Sequence, residues 1–145
     1  MKPFRLTVSA VVFSAVPALA SPIPQQEVLD HNGSIMIVDY REQTIRYLLP
    51  RRSLPVESVQ MSFAGTIQYH GVAEGTAYVY KRGCGFAMYE VRGGYDPSVP
   101  GYVMVGAAPV RAKGGCHVVG YTMESKNSRL VYKDIDDQAA YLGDL

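Results

Sequence analysis

From about residue 30 onward the chain is built of short runs of apolar and polar residues, many of them alternating, cut by Gly and Pro. Residues 34–40 (SIMIVDY) and 44–49 (TIRYLL) are rich in β-branched side chains. In the second, Ile45, Tyr47 and Leu49 share one face at the period of two that a half-buried strand imposes. With Arg41-Glu42-Gln43 between them, the two runs predict a hairpin. Residues 50–55 (PRRSLP) break the pattern with a proline at each end. Residues 59–63 and 66–70 flank Ala64-Gly65, which reads either as a bulge in one bent strand or as a turn. Residues 71–75 read as a loop. Residues 76–81 (TAYVYK) alternate, with Ala77, Val79 and Lys81 opposite Tyr78 and Tyr80, and 86–92 (FAMYEVR) follow as another strand. Residues 93–101 (GGYDPSVPG), with three Gly and two Pro, carry the strongest loop signal in the chain. Strands over 102–106, 109–111, 116–123 and 129–133 complete a set of eight or nine at 8–12-residue spacing. This is the signature of a single all-β domain, a small antiparallel barrel or sandwich of roughly eight strands. No amphipathic helix separates them; the tail from Asp134 reads either as a helical turn around Ala139, Ala140 and Tyr141 or as disordered.

The first 20 residues follow another rule. Lys2 and Arg5 precede a short apolar run over 6–16, and Ala18-Leu19-Ala20 supplies the small-x-small pattern of a cleavage site. The run is shorter than the ~20 residues that span a bilayer, so it predicts a cleaved export signal. Ser21 in place of a cysteine argues against a lipoprotein, and the lack of paired arginines argues against a twin-arginine signal. The expected organisation is a signal peptide over 1–20, an extended leader over 21–30 with Pro22 and Pro24, an all-β domain over 31–133, and an acidic tail over 134–145. The expected location is periplasmic or secreted, with no membrane anchor in the mature chain.

Cleavage changes the charge. The chain has 14 basic and 13 acidic residues; without Lys2 and Arg5, 12 basic residues face 13 acidic ones. Such a near-neutral protein offers no electrostatic case for nucleic acid or for a polybasic membrane contact. Export also sets the redox environment. Two cysteines, Cys84 and Cys116, in an oxidising compartment predict one disulfide, and closing that loop stabilises a fold by roughly 3–4 kcal/mol.

Chemistry-bearing clusters are few. Asp30-His31-Asn32-Gly33-Ser34 reads as a turn, or as a site with His31 as general base oriented by Asp30 or Asp39. His31, His70 and His117 lack metal-ligand spacing, so neither a metal nor a cofactor is expected. Arg51 and Arg52 form a small basic patch, which Arg46, Arg111 and Lys113 could extend in space, suited to a carboxylate or phosphate. Tyrosines 78, 80, 89, 95 and 102 either pack across strands or line a glycan- or peptide-binding face. No nucleophile elbow, phosphate loop or zinc spacing occurs.

The segments HNGS (31–34), PR (50–51), GTAYVYKRGC (75–84), APVRAKGGC (108–116) and VVGY (118–121) resemble a group of small, functionally uncharacterised exported bacterial all-β proteins with two cysteines. In that group a GTAYVF-like strand runs into the first cysteine and an AP…C…GY segment holds the second. The resemblance implies an exported all-β domain with Cys84 paired to Cys116 and transfers no catalytic residue. The functional expectation is a non-enzymatic envelope protein that binds a protein or a cell-wall glycan, with hydrolase inhibition as one form. Its candidate binding residues are His31, Arg51, Arg52, Tyr78, Tyr80 and Tyr89. The alternatives are a small hydrolase using His31 or His117, and a structural accessory domain of an envelope complex.

Overall fold

A computed structural model describes residues 20–143. The expected signal peptide, apart from Ala20, lies outside them. Among the described residues ten strands form: β1 (Gln26–His31), β2 (Ser34–Asp39), β3 (Thr44–Leu49), β4 (Met61–Ile67), β5 (Val72–Lys81), β6 (Gly85–Asp96), β7 (Gly101–Val105), β8 (Ala108–Arg111), β9 (Val118–Thr122) and β10 (Arg129–Asp134). Eight of them close an antiparallel barrel in the order β1-β10-β7-β6-β5-β4-β3-β2, and β8 and β9 make a separate hairpin. The alternation explains the inside. On β2, Ser34, Met36 and Val38 are buried while Ile35, Ile37 and Asp39 are half-buried. Leu29, Ile45, Phe63, Ala77, Val91, Met104 and Leu130, drawn from seven other strands, belong to the same core. Eight strands enclose just enough space for side chains or one small ligand.

Several boundaries differ from those the sequence predicts. The leader over 21–30 is in part a barrel strand: β1 pairs with β2 along its length and with β10 at Leu29↔Asp134 and Asp30↔Lys133. Its alternation is hidden because Val28 and Leu29 are both fully buried. Leu29 enters the core, and the Val28 backbone is gripped from outside by Gln138, whose amide accepts from the Val28 N–H (2.6 Å) and donates to its carbonyl (2.8 Å). The tail is likewise partly structural, since Asp134 ends β10. The helical turn is present as α1 (Ala139–Leu142).

The glycine-rich stretches are strand more than loop. β4 is one bent strand across Ala64-Gly65, and β5 begins at Val72, so residues 72–75 are not a loop. Gly65 and Gly75 face each other in the ladder. A Cβ on Gly65 would lie 2.6 Å from the Gly75 Cα, so only this pair lets the backbones pass. The loop expected over 93–101 shrinks to residues 97–100, because β6 continues to Asp96. A side chain at Gly93 would overlap the Val103 carbonyl, and one at Gly101 the Tyr132 carbonyl.

The two barrel ends are unlike. One is a floor, closed by the β2–β3, β4–β5 and β6–β7 turns. There the His70 ring stacks between Tyr69 and Tyr95, with centroids 4.0 Å from each. Tyr102, fully buried, donates to the Gln68 carbonyl (2.7 Å) and accepts from the His70 N–H (2.9 Å). Tyr95 donates to Asp134 Oδ2 (2.5 Å). The other end is a mouth. It is ringed by the β1–β2 turn, the long β3–β4 loop, the β5–β6 turn and the segment between β7 and β10.

The Cys84–Cys116 disulfide is formed, with Cα atoms 5.2 Å apart. It ties the β8–β9 hairpin to the β5–β6 turn. Lys81 Nζ, donating to the Gly115 carbonyl (2.8 Å), and Arg111 Nη2, donating to that of Gly85 (3.2 Å), add two further ties.

Candidate functional site

The mouth holds a cavity of about 190 Å³. β5 and β6 shape one wall. Their pairing runs past Phe63↔Ala77, the last β4–β5 pair, out to Lys81↔Gly85, so Tyr78, Val79 and Tyr80 overhang the rim and line the cavity. Tyr80 Oη donates to the Met61 carbonyl (2.7 Å), and Tyr47 from β3 meets the Tyr80 ring edge-on at 6.3 Å. Tyr89 reaches across from β6 and donates to the Asn127 carbonyl (2.6 Å). The bottom of the cavity is polar because of a bulge: register slips between Ile45↔Phe63 and Arg46↔Met61, which turns Ser62 inward beside Phe63. Ser62 Oγ lies 2.9 Å from Tyr132 Oη.

His31 stacks on Tyr132 at 4.5 Å, and its Nδ1 lies 2.7 Å from the Val131 carbonyl. Nδ1 is therefore the protonated nitrogen and Nε2 carries the lone pair. Burial pulls the imidazole below its usual value, against the raising effects of that carbonyl and of Asp30, so His31 is neutral at pH 7. Burial likewise raises Tyr47, Tyr80 and Tyr132, and pushes Tyr89 up to about 12. The mouth thus presents intact phenols.

The cationic side comes from two loops. The Arg51 N–H donates to the buried Ser34 Oγ (3.0 Å) and its Nη1 to the Asn32 carbonyl (3.0 Å). Lys126 sits on a one-turn 3₁₀ helix, Lys126–Ser128, capped by Ser125. Among the described residues, no acidic one lines the cavity.

Five of the six residues singled out from sequence meet here: His31, Arg51, Tyr78, Tyr80 and Tyr89. Arg52 is exposed and does not line the cavity. The wider basic patch is assembled differently. Arg46 turns to the Val59 carbonyl (3.1 Å) and Arg111 belongs to the hairpin, whereas Lys126 joins Arg51. Tyr47, Ser62, Lys126, Asn127 and Tyr132 are additions. The Ser125-Lys126-Asn127-Ser128 run is a turn signal that places a lysine but not its direction.

Among the described residues, no hydrogen bond links His31 to Asp30 or to Asp39. Asp39 is engaged by the Arg41 and Glu42 amides and by Gln26 on the floor side, Asp30 faces the Gly33 amide, and His31 is oriented by a carbonyl. His70 is on the floor and His117 precedes β9, so the three histidines do not converge. Among the described residues no group of three or more His, Cys, Asp or Glu is placed to hold a metal, and no helix is long and apolar enough to cross a membrane.

Fold and site together define an eight-stranded antiparallel β-barrel, stapled by one disulfide, with a tyrosine-lined cavity at one mouth. No family model, curated protein or solved structure matches the chain.

Proposed function

We propose that this chain is an exported, non-enzymatic binding module of the bacterial envelope, and that its barrel mouth takes a cell-wall glycan. The observation that carries this reading is the convergence of tyrosines, a neutral histidine and two cationic side chains on one cavity at the open end of a closed barrel. Barrel mouths are recurrent ligand sites, and tyrosine supplies an apolar face with a polar tip. The disulfide fits an oxidising compartment. The test is cosedimentation of the disulfide-bonded protein with purified insoluble peptidoglycan. The wild type is expected to sediment, and Arg51→Ala/Tyr78→Ala, checked for folding by near-UV circular dichroism, to stay in solution. A wild type that remains wholly soluble contradicts the reading.

A second reading, a protein partner such as an inhibited hydrolase, is favoured by a different observation. Phe86 and Met88 on the outer face of β6, with Val119, Tyr121 and Met123 on and just beyond β9, are large apolar side chains more than half exposed. Partner capture that is lost with Tyr121→Ser but kept with Arg51→Ala supports it.

A further inference from the structure

We propose that the mouth selects an acidic sugar, its six-membered ring seated among the tyrosines and its carboxylate held by Arg51 and Lys126. This deepens the mouth reading above and rests on it.

Size comes first. A cavity of about 190 Å³ lies near the ~150 Å³ that encloses a benzene ring and below the ~300–1,000 Å³ of sites for drug-sized ligands. It fits one ring, with substituents reaching out through the open end.

Charge selects the substituent. Arg51 and Lys126 line the cavity with no acid among the described residues of its walls. An adjoining cavity of about 370 Å³ shares Arg51, Lys126 and Asn127, adds Arg129, and again has no acidic residue among those that line it. The nearest carboxylate in sequence, Asp30, is turned toward the Gly33 amide (3.5 Å). The Arg51 and Lys126 side chains are both solvent-exposed, and two like cations at the rim of a recess concentrate anions there.

The backbone that carries each cation is held in place. Arg51 is pinned through its backbone to Ser34, and a single guanidinium bond to Asn32 leaves most of the five-donor fork for a carboxylate. The turn carrying Lys126 is held by Tyr89, through the Asn127 carbonyl (2.6 Å), and by Ser128 Oγ donating to the Thr122 carbonyl (2.7 Å). Holding donors in place before the ligand arrives lowers the ordering cost of binding. His31, with Nε2 free to accept, and the Tyr47 and Tyr80 rings line the cavity, a set that suits ring hydroxyls and an acetamido group.

Titration calorimetry with two monosaccharides tests this directly. N-acetylmuramic acid and N-acetylglucosamine share the acetamido-hexose ring and differ by a lactyl carboxylate. The disulfide-bonded protein is expected to bind the acid roughly tenfold more tightly or better, with the margin shrinking as salt is raised. Arg51→Gln and Lys126→Gln, each with an unchanged urea midpoint, should bring the acid down to the level of the neutral sugar, and Arg51→Lys should restore part of the margin. Equal affinities, with amide shifts still centred on the mouth, overturn the acid assignment and leave the mouth reading standing. Acid binding indifferent to both glutamine variants, with amide shifts on β8 and β9, overturns both. No binding of either sugar at millimolar concentration overturns the proposal.

Discussion

Glu27 shows how one half-buried carboxyl shapes the floor of the barrel. Three oxygen–oxygen contacts run in series from Glu27 Oε2 to Tyr40 Oη (2.5 Å), on to Tyr102 Oη (2.9 Å), and then to the Gln68 carbonyl (2.7 Å). The two phenols bring two protons to three contacts. A neutral Glu27 supplies the third; an ionised one leaves a contact without a proton. Burial is the main cause that raises this carboxyl above its usual value. The charge of Asp134 adds to it, while the Tyr40 bond and His70 oppose it. A group whose native value is raised binds its proton more tightly when folded. Its contribution to stability is therefore complete below the unfolded value and lost as pH rises through the folded one. Glu27→Gln offers its amide N–H to Tyr40 in place of the carboxyl proton and removes the charge. Urea midpoints should match the wild type near about pH 3.5 and exceed it near about pH 7. A variant less stable than wild type at both would contradict this account of the floor.

At the scale of elements, legibility follows exposure. β2 is readable because its buried and half-buried residues alternate at a period of two. β3 is readable in part, since Leu49, expected on one face with Ile45 and Tyr47, is 56% exposed at the strand end and Thr44 is buried beside Ile45. β1 is not, because Gln138 covers the side of Val28 that a simple edge would leave wet. Glycine misleads for a different reason. A glycine that turns a chain and a glycine that lets two backbones cross look alike in sequence, and Gly65, Gly75, Gly93 and Gly101 are of the second kind. Gly93→Ala must push against the Val103 carbonyl, so it should cost roughly 1–3 kcal/mol or more. A methyl group on Gly120 would meet nothing within 4 Å, and Gly120→Ala should change stability by no more than about 0.5 kcal/mol. Paired denaturation curves check both, and equal effects would refute the close-approach explanation. The mouth is half legible on the same logic. Strand-end tyrosines and an arginine in a proline-bounded loop stand out, but Ser62 reaches the cavity only through a bulge that no local pattern announces.

For the whole molecule, the barrel closes through ladders that never include β8 or β9, so the hairpin is held by its ties to the β5–β6 turn, by the Ser128–Thr122 bond and by the buried Ala108. Cys84→Ser/Cys116→Ser should lose up to roughly 3–4 kcal/mol of global stability. Hydrogen exchange should accelerate first over residues 108–122, with protection kept in β2, β3 and β10. Uniform loss of protection would mean that the staple holds the barrel itself. The asymmetry between a plugged floor and an open, cationic mouth is the central claim. It is tested most directly by an amide chemical-shift map of the disulfide-bonded protein titrated with soluble peptidoglycan fragments. The predicted shifts cluster at His31, Tyr47, Arg51, Tyr80, Tyr89 and Asn127, and spare Tyr69, His70 and Tyr95 on the floor. Shifts confined to the floor, or to the hairpin and the outer face of β6, would contradict it.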